Sequence, residues 1–181
     1  MMKKSPAKKN ASAGAKKLDA LRKKIDVLDG RLVSLLNQRS RIAQAIGRLK
    51  HRAGGALYVP ERERDVLARV RKRNRGPLSN KALESIYREI MSAALALEGA
   101  MDIGVLGDAA GVARNLFGAS ARYVPAGSPS AAVAALCAGR WQALCLPEAA
   151  VTAACAELQT GRLRACGPAV NGVVVLVRGG A

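Results

Sequence analysis

Between Leu18 and Leu49 one apolar stripe runs along the chain and is interrupted at a single position, by Arg39. Leu18, Leu21, Ile25, Leu28, Leu32 and Leu35 recur at alternating spacings of three and four, and the pattern resumes at Ile42, Ile46 and Leu49. That spacing lies along one face of an amphipathic helix, so Arg39 points where the apolar residues point. Burying a guanidinium without a partner is costly, and the surroundings must supply an anion, either a protein carboxylate or a ligand. The sequence therefore suggests an anion-binding cavity inside a helical bundle.

The charge balance at first suggests a different reading. A formal net charge of +17 over 181 residues invites a nucleic-acid partner. Its distribution argues otherwise, because residues 1–17 hold six Lys and no acid in a stretch poor in large apolar residues. Such a segment cannot bury enough surface to order itself, so it reads as a disordered basic tail. It lacks the apolar run of a signal peptide, and no later stretch is long enough to be a membrane span. The expectation is a cytoplasmic protein with no membrane partner. Cys137, Cys145, Cys155 and Cys166 are irregularly spaced and accompanied by a single histidine, His51. This is neither a zinc pattern nor a disulfide framework, and buried, unreactive thiols are expected.

Three helices are expected in the first half. The first runs from about Lys16 to His51, ended by the glycines near residue 54. At ~1.5 Å per residue it would be ~50 Å long, more than a compact bundle of this size can cover. A second copy of the chain is the economical cover for the stripe. Pro60 opens the second helix, which leads to the basic run from Arg69 to Arg75 and the breaker Gly76-Pro77. Ser79 or Asn80 caps the third, with Leu83, Ile86, Tyr87, Ile90, Met91, Leu95 and Leu97 on its buried side. The second half changes period. Short apolar runs at Ile103–Leu106, Tyr123–Val124, Ala143–Leu146 and Val173–Val177 alternate with Ala-rich segments, which predicts a small parallel α/β sheet over residues 101–181.

Lys50 follows Arg39 by eleven residues, about three helical turns, so both cations project from one face. Arg22 precedes Arg39 by seventeen residues, a rise of ~25 Å and a rotation of roughly 100°. One small ligand cannot touch both within a chain, but it could touch Arg39 of one chain and Arg22 of an antiparallel partner. The charge-dense turn Pro60-Glu61-Arg62-Glu63-Arg64 can bring a further cation and a carboxylate to the same cavity.

These residues resemble the all-helical chorismate mutases. The resemblance covers Leu18 to Glu98, through LRKKIDVLDGRLVSLLNQRSRIAQAIGRLK, YVPERERDVLARV and GPLSNKALESIYREIMSAALALE. It is nearest to the mutase modules fused to the front of prephenate dehydratases. It implies an intertwined helical homodimer in which Arg39, Lys50, Arg62 and Glu63 of one chain, with Arg22 of the other, surround chorismate. The reaction implied is rearrangement to prephenate, without metal or cofactor, in phenylalanine and tyrosine biosynthesis. Fixed guanidinium groups would hold the two carboxylates of the folded substrate. Lys50 would stabilise the negative charge that grows on the ether oxygen as its C–O bond breaks. Glu63 would accept a hydrogen bond from the ring hydroxyl, and Arg62 would complete the electrostatic surround.

Three positions depart from the family's pattern. Val59 stands where an Asp often precedes the turn, and it keeps the backbone N–H that the contact can use. Ala94 replaces a Ser that bonds a substrate carboxylate, which should weaken binding by roughly 1 kcal/mol. Glu98 replaces a Gln facing the ether oxygen. An ionised carboxylate would repel the developing charge there, so Glu98 is expected to be protonated or turned toward Lys50.

Residues 101–181 faintly resemble the start of a prephenate dehydratase, through IGVLG, YVPAGS and ALCLPEAAV. Asn-Ser after the Pro-x-Glu stretch and a Thr-Arg-Phe motif are missing, and about eighty residues are too few for the two-lobed dehydratase fold. A degenerate segment without dehydratase activity is expected. Two other readings stand beside the mutase: a basic helical nucleic-acid-binding protein using the tail and Arg69 to Arg75, and an inactive mutase-like scaffold.

Overall fold

The computed structural model describes residues 6–53, 56, 58–99 and 101–179, with side chains from residue 14 onward. The chain divides into two units, Met1–Ile42 and Ala43–Ala181. Residues 1–5 of the expected tail lie outside the described residues, as do the side chains of residues 6–13 and the glycines at 54 and 55.

The first unit is one helix, the leading part of α1 (Pro6–Arg52), which begins well ahead of Lys16. Its stripe is open to solvent in the single chain: Ile25, Leu28, Leu32 and Leu35 are all more than half exposed. Helix propensity alone does not sustain a long helix in water with its apolar face bare, so this face calls for a covering surface.

The second unit opens with the last turns of α1 and continues into α2 (Pro60–Arg73) and α3 (Asn80–Glu98). Pro60 occupies the first turn of α2, where its missing N–H costs nothing. Asn74 ends that helix before the basic run is complete. Ser79 caps α3 by accepting a hydrogen bond from the Ala82 N–H at 3.1 Å. Met91, Ser92 and Ala94 form its buried side, whereas Ile86 and Leu97, expected to be buried, are exposed. Their exposure corrects the helical-face reading: the elements that pack on α3 within one chain cover only part of its apolar circumference.

Beyond α3 come β1 (Asp102–Leu106), α4 (Ala110–Phe117), β2 (Arg122–Ala126), α5 (Pro129–Cys137) and β3 (Ala143–Pro147). A 3-10 segment, Glu148–Ala154, leads to α6 (Cys155–Gln159), β4 (Leu163–Ala165) and β5 (Val173–Arg178). The sheet order is β2-β1-β3-β5-β4. The first three strands are parallel, as expected, but β5 runs antiparallel to both β3 and β4. The sheet is thus mixed, which corrects the all-parallel expectation. The reason lies in the β4–β5 connection, which returns by a short turn through Gly167, Asn171 and Gly172, all at positive φ. A parallel return would need a crossover of a dozen or more residues.

Apolar residues cover both sheet faces. On one, α5 packs Ala132, Val133 and Leu136 against Leu144, Leu146 and Leu176, with Trp141 lying directly over the bare backbone of Gly104. On the other, α4 contributes Ala113 and Phe117 to a cluster with Ile103, Val105, Cys145 and Val177, and Tyr58 and Leu95 from the helical segment pack against it. Helix α3 is further tied to the loop after α4: Glu89 Oε2 accepts from the Ala119 N–H at 2.9 Å, and Ser92 Oγ from the Ser120 N–H at 3.2 Å. The helical segment of this unit and the sheet are therefore packed into one core.

Candidate functional site

In the first unit, Arg22 is an exposed helix cation. Arg39 is half-buried, and its Nη1 is shut off from solvent with no hydrogen-bond partner among the described residues. An enclosed guanidinium nitrogen without an acceptor among the described residues leaves a hydrogen-bond donor for an anion to satisfy.

The second unit positions the other candidates. Lys50 sits in the last turn of α1 and is half-buried. One turn earlier, Gly47 is buried against Glu98 of α3, so closely that a Cβ on Gly47 would lie 2.7 Å from Glu98 Cγ. The missing side chain lets α1 meet the end of α3, and it places Glu98 beside the turn that carries Lys50. Ala94, one turn before Glu98, is 4% exposed and offers no polar atom from its side chain.

Val59 is the N-cap of α2, in extended backbone, and its carbonyl accepts from the N–H of Arg62 at 3.0 Å. That geometry sends Arg62 outward as an exposed cation and Glu63 inward. Glu63 Oε2 accepts a hydrogen bond from the Tyr58 hydroxyl at 3.2 Å. Burial pushes the Glu63 carboxyl up to about 7, against the opposing pull of the Tyr58 hydrogen bond and the charge of Arg88. Burial, with the Glu63 carboxylate next in weight, raises the Tyr58 phenol far above its ordinary value. Tyr58 was not singled out from the sequence. A Tyr five residues before a Glu is a common pattern, and only burial makes this pair distinctive.

Two more residues of the same turn are held from the sheet. Glu61 accepts from both terminal nitrogens of Arg164, at 2.6 and 3.0 Å, and Arg64 donates to the Cys166 carbonyl at 2.7 Å. The hydrogen bonds from Arg164 lower the Glu61 carboxyl below its ordinary value.

The remaining sequence candidates lie apart from this turn. His51 is exposed, and so are Arg69, Lys72, Arg73 and Arg75. All four cysteines are free, and Cys155 is exposed rather than buried, because the short α6 lies at the surface. Burial pushes Cys145 up to about 12 and Cys166 to about 11, which keeps both as neutral thiols. Among the described residues no helix is long and apolar enough to cross a membrane.

Residues 21–99 match the family model described as "Chorismate mutase type II". The chain is 40% identical over 116 residues to the "Bifunctional chorismate mutase/prephenate dehydratase" of Aquifex aeolicus, covering 60% of this chain and 32% of that protein. It is 44% identical over 86 residues to the protein of the same description from Neisseria gonorrhoeae, covering 48% of this chain and 23% of that one. It thus spans no more than about a third of the length of these curated relatives. The solved structure of chorismate mutase (form II) from Thermus thermophilus is 36% identical, with a TM-score of 0.45, covering 45% of this chain and 93% of that chain. Arg39, Lys50, the charged turn at Pro60 and Glu98 all lie within the stretch that matches the chorismate mutase type II family model.

Proposed function

We propose that this chain is a chorismate mutase that rearranges chorismate to prephenate in the cytoplasm, without metal or cofactor, as a homodimer. The observation that carries the reading is Arg39, whose enclosed Nη1 has no acceptor among the described residues. A substrate carboxylate is the missing acceptor. Arg22 from the other copy would hold the second carboxylate, so that the side chain is folded over the ring before reaction. Lys50 then stabilises the charge that grows on the ether oxygen, an interaction stronger in the transition state than in the ground state. Arg62 adds positive potential, and Glu63 exchanges its Tyr58 partner for the ring hydroxyl. Val59 contributes through its backbone N–H. Ala94 supplies no hydroxyl, and Glu98 faces the ether oxygen in a protonated state or turned to Lys50.

The bare α1 stripe supports the dimer, since Leu28, Leu32 and Leu35 in one copy match the same residues in a second. The test is the loss of chorismate absorbance with a parallel prephenate assay. Wild type should convert chorismate, and Arg39→Ala should lower kcat/KM by about 100-fold or more. A folded wild-type dimer that leaves chorismate intact would overturn the reading in favour of a scaffold.

A further inference from the structure

The first turn of α2 lacks a side-chain cap, because its N-cap, Val59, provides no side-chain hydrogen bond to the turn. The sheet supplies what is missing. Arg164 on β4 grips Glu61 with both terminal nitrogens, at 2.6 and 3.0 Å, across 103 residues of sequence. Arg64 reaches back to Glu61 at 3.2 Å with one nitrogen and to the Cys166 carbonyl at 2.7 Å with the other. Ahead of the turn, the Tyr58 ring lies against Phe117 of α4, with centroids 5.1 Å apart and planes at 59°. Glu61 and Arg64 flank Arg62 and Glu63, the two side chains this turn gives to the site.

We propose that Arg164 is a positioning residue for the mutase site: through Glu61 it sets the orientation of the turn that presents Arg62 and Glu63 to the substrate. This deepens the mutase reading and rests on it. The sheet is then a brace for the active-site helix rather than a passive remnant. Both partners are well exposed, at 40% and 47%, so their attraction adds little to stability. A two-pronged guanidinium–carboxylate contact nevertheless restricts direction as well as distance. Catalysis is far more sensitive to placement than stability is, and a shift of ~1 Å in a contact group can cost about 100-fold in rate.

The test uses the full chain and chorismate, comparing Arg164→Ala, Arg164→Lys, Glu61→Gln, the double variant Glu61→Gln/Arg164→Ala, and Arg162→Ala at the exposed position two residues earlier. Arg164→Ala should lower kcat by about 10-fold or more with a smaller change in KM, while Tm moves by no more than ~3 °C. The double variant should be no worse than the poorer single, Arg164→Lys should recover part of the rate, and Arg162→Ala should match wild type. Hydrogen exchange at the amides of residues 62–66 should be faster in Arg164→Ala than in wild type. Unaltered kcat, additive losses, or unaltered exchange in an active enzyme would overturn the positioning role alone. A folded wild-type dimer inactive on chorismate would overturn the mutase reading and the positioning role with it.

Discussion

The Tyr58 hydroxyl donates to Glu63 Oε2 at 3.2 Å, and burial holds the proton of that carboxyl up to about pH 7 against the pull of this hydrogen bond. Its ordinary value is 4.5, so between about 4.5 and 7 the folded state binds more protons at Glu63 than the unfolded state does. The sign follows: this group's contribution is full below 4.5 and is lost as pH rises toward 7. Wild type should lose on the order of 1–3 kcal/mol relative to Glu63→Gln over that interval. Thermal melts of both proteins from pH 4 to pH 8 check this, and parallel curves would refute it. Glu61 and Asp102, each lowered by an arginine partner, act in the opposite sense at lower pH in both proteins.

Gly47 and Gly30 lie in the same helix and should respond oppositely to alanine. A Cβ at Gly47 meets Glu98 Cγ at 2.7 Å and Cβ at 2.9 Å, and the second of these is fixed by the α3 backbone whatever rotamer Glu98 takes. Gly47→Ala should therefore destabilise by ~1–3 kcal/mol, more than the ~1 kcal/mol that alanine adds to helix propensity. Nothing lies within 4 Å of the corresponding position at Gly30, so Gly30→Ala should stabilise by ~0.5–1 kcal/mol. Denaturant melts of the two variants decide the matter.

The bare stripe makes a prediction about association. Leu28→Glu and Leu32→Glu place charge where a partner's apolar side chains are expected, and should shift sedimentation from dimer to monomer and abolish turnover. If Arg22 acts across the dimer, inactive Arg22→Ala and Arg39→Ala proteins should complement when unfolded and refolded together. Random pairing leaves one intact site in half of the dimers, about a quarter of wild-type activity for two-site symmetry. No recovery would overturn the contribution of Arg22 across the dimer.

Two departures from the family pattern can be reversed. Ala94 is enclosed in α3 at 4% exposure, and Ala94→Ser should lower KM for chorismate by about 5-fold, the worth of one hydrogen bond. Glu98→Gln removes an ionisable group from beside Gly47 and should raise kcat/KM most at high pH. A pH–rate profile identical to wild type would count against a role for Glu98 at the ether oxygen.

Much of the helical segment was legible because its signals are local. The stripe from Leu18 to Leu49, Pro60 at the start of α2 and Ser79 as the cap of α3 each express a preference that a few neighbouring residues settle among themselves. The same logic picked out Arg39, since a charge on an apolar stripe is visible from spacing alone. Strand positions were also readable as short apolar runs, except β4, whose three residues include the charged Arg164.

What the sequence by itself determined, then, was the order of helices and strands and the set of charged residues offered to a site. Tertiary structure alone decided which of them meet. The direction of β5 depended on a tight turn at positive φ, a global closure that no strand pattern encodes. Glu63 turned to Tyr58, and Glu61 to an arginine 103 residues away, because burial and charge pairing act through space. The exposure of Ile86, Leu97 and the α1 stripe has the same origin. Hydrophobic periodicity says that a face must be covered, whereas only the packed arrangement says whether its own chain can cover it.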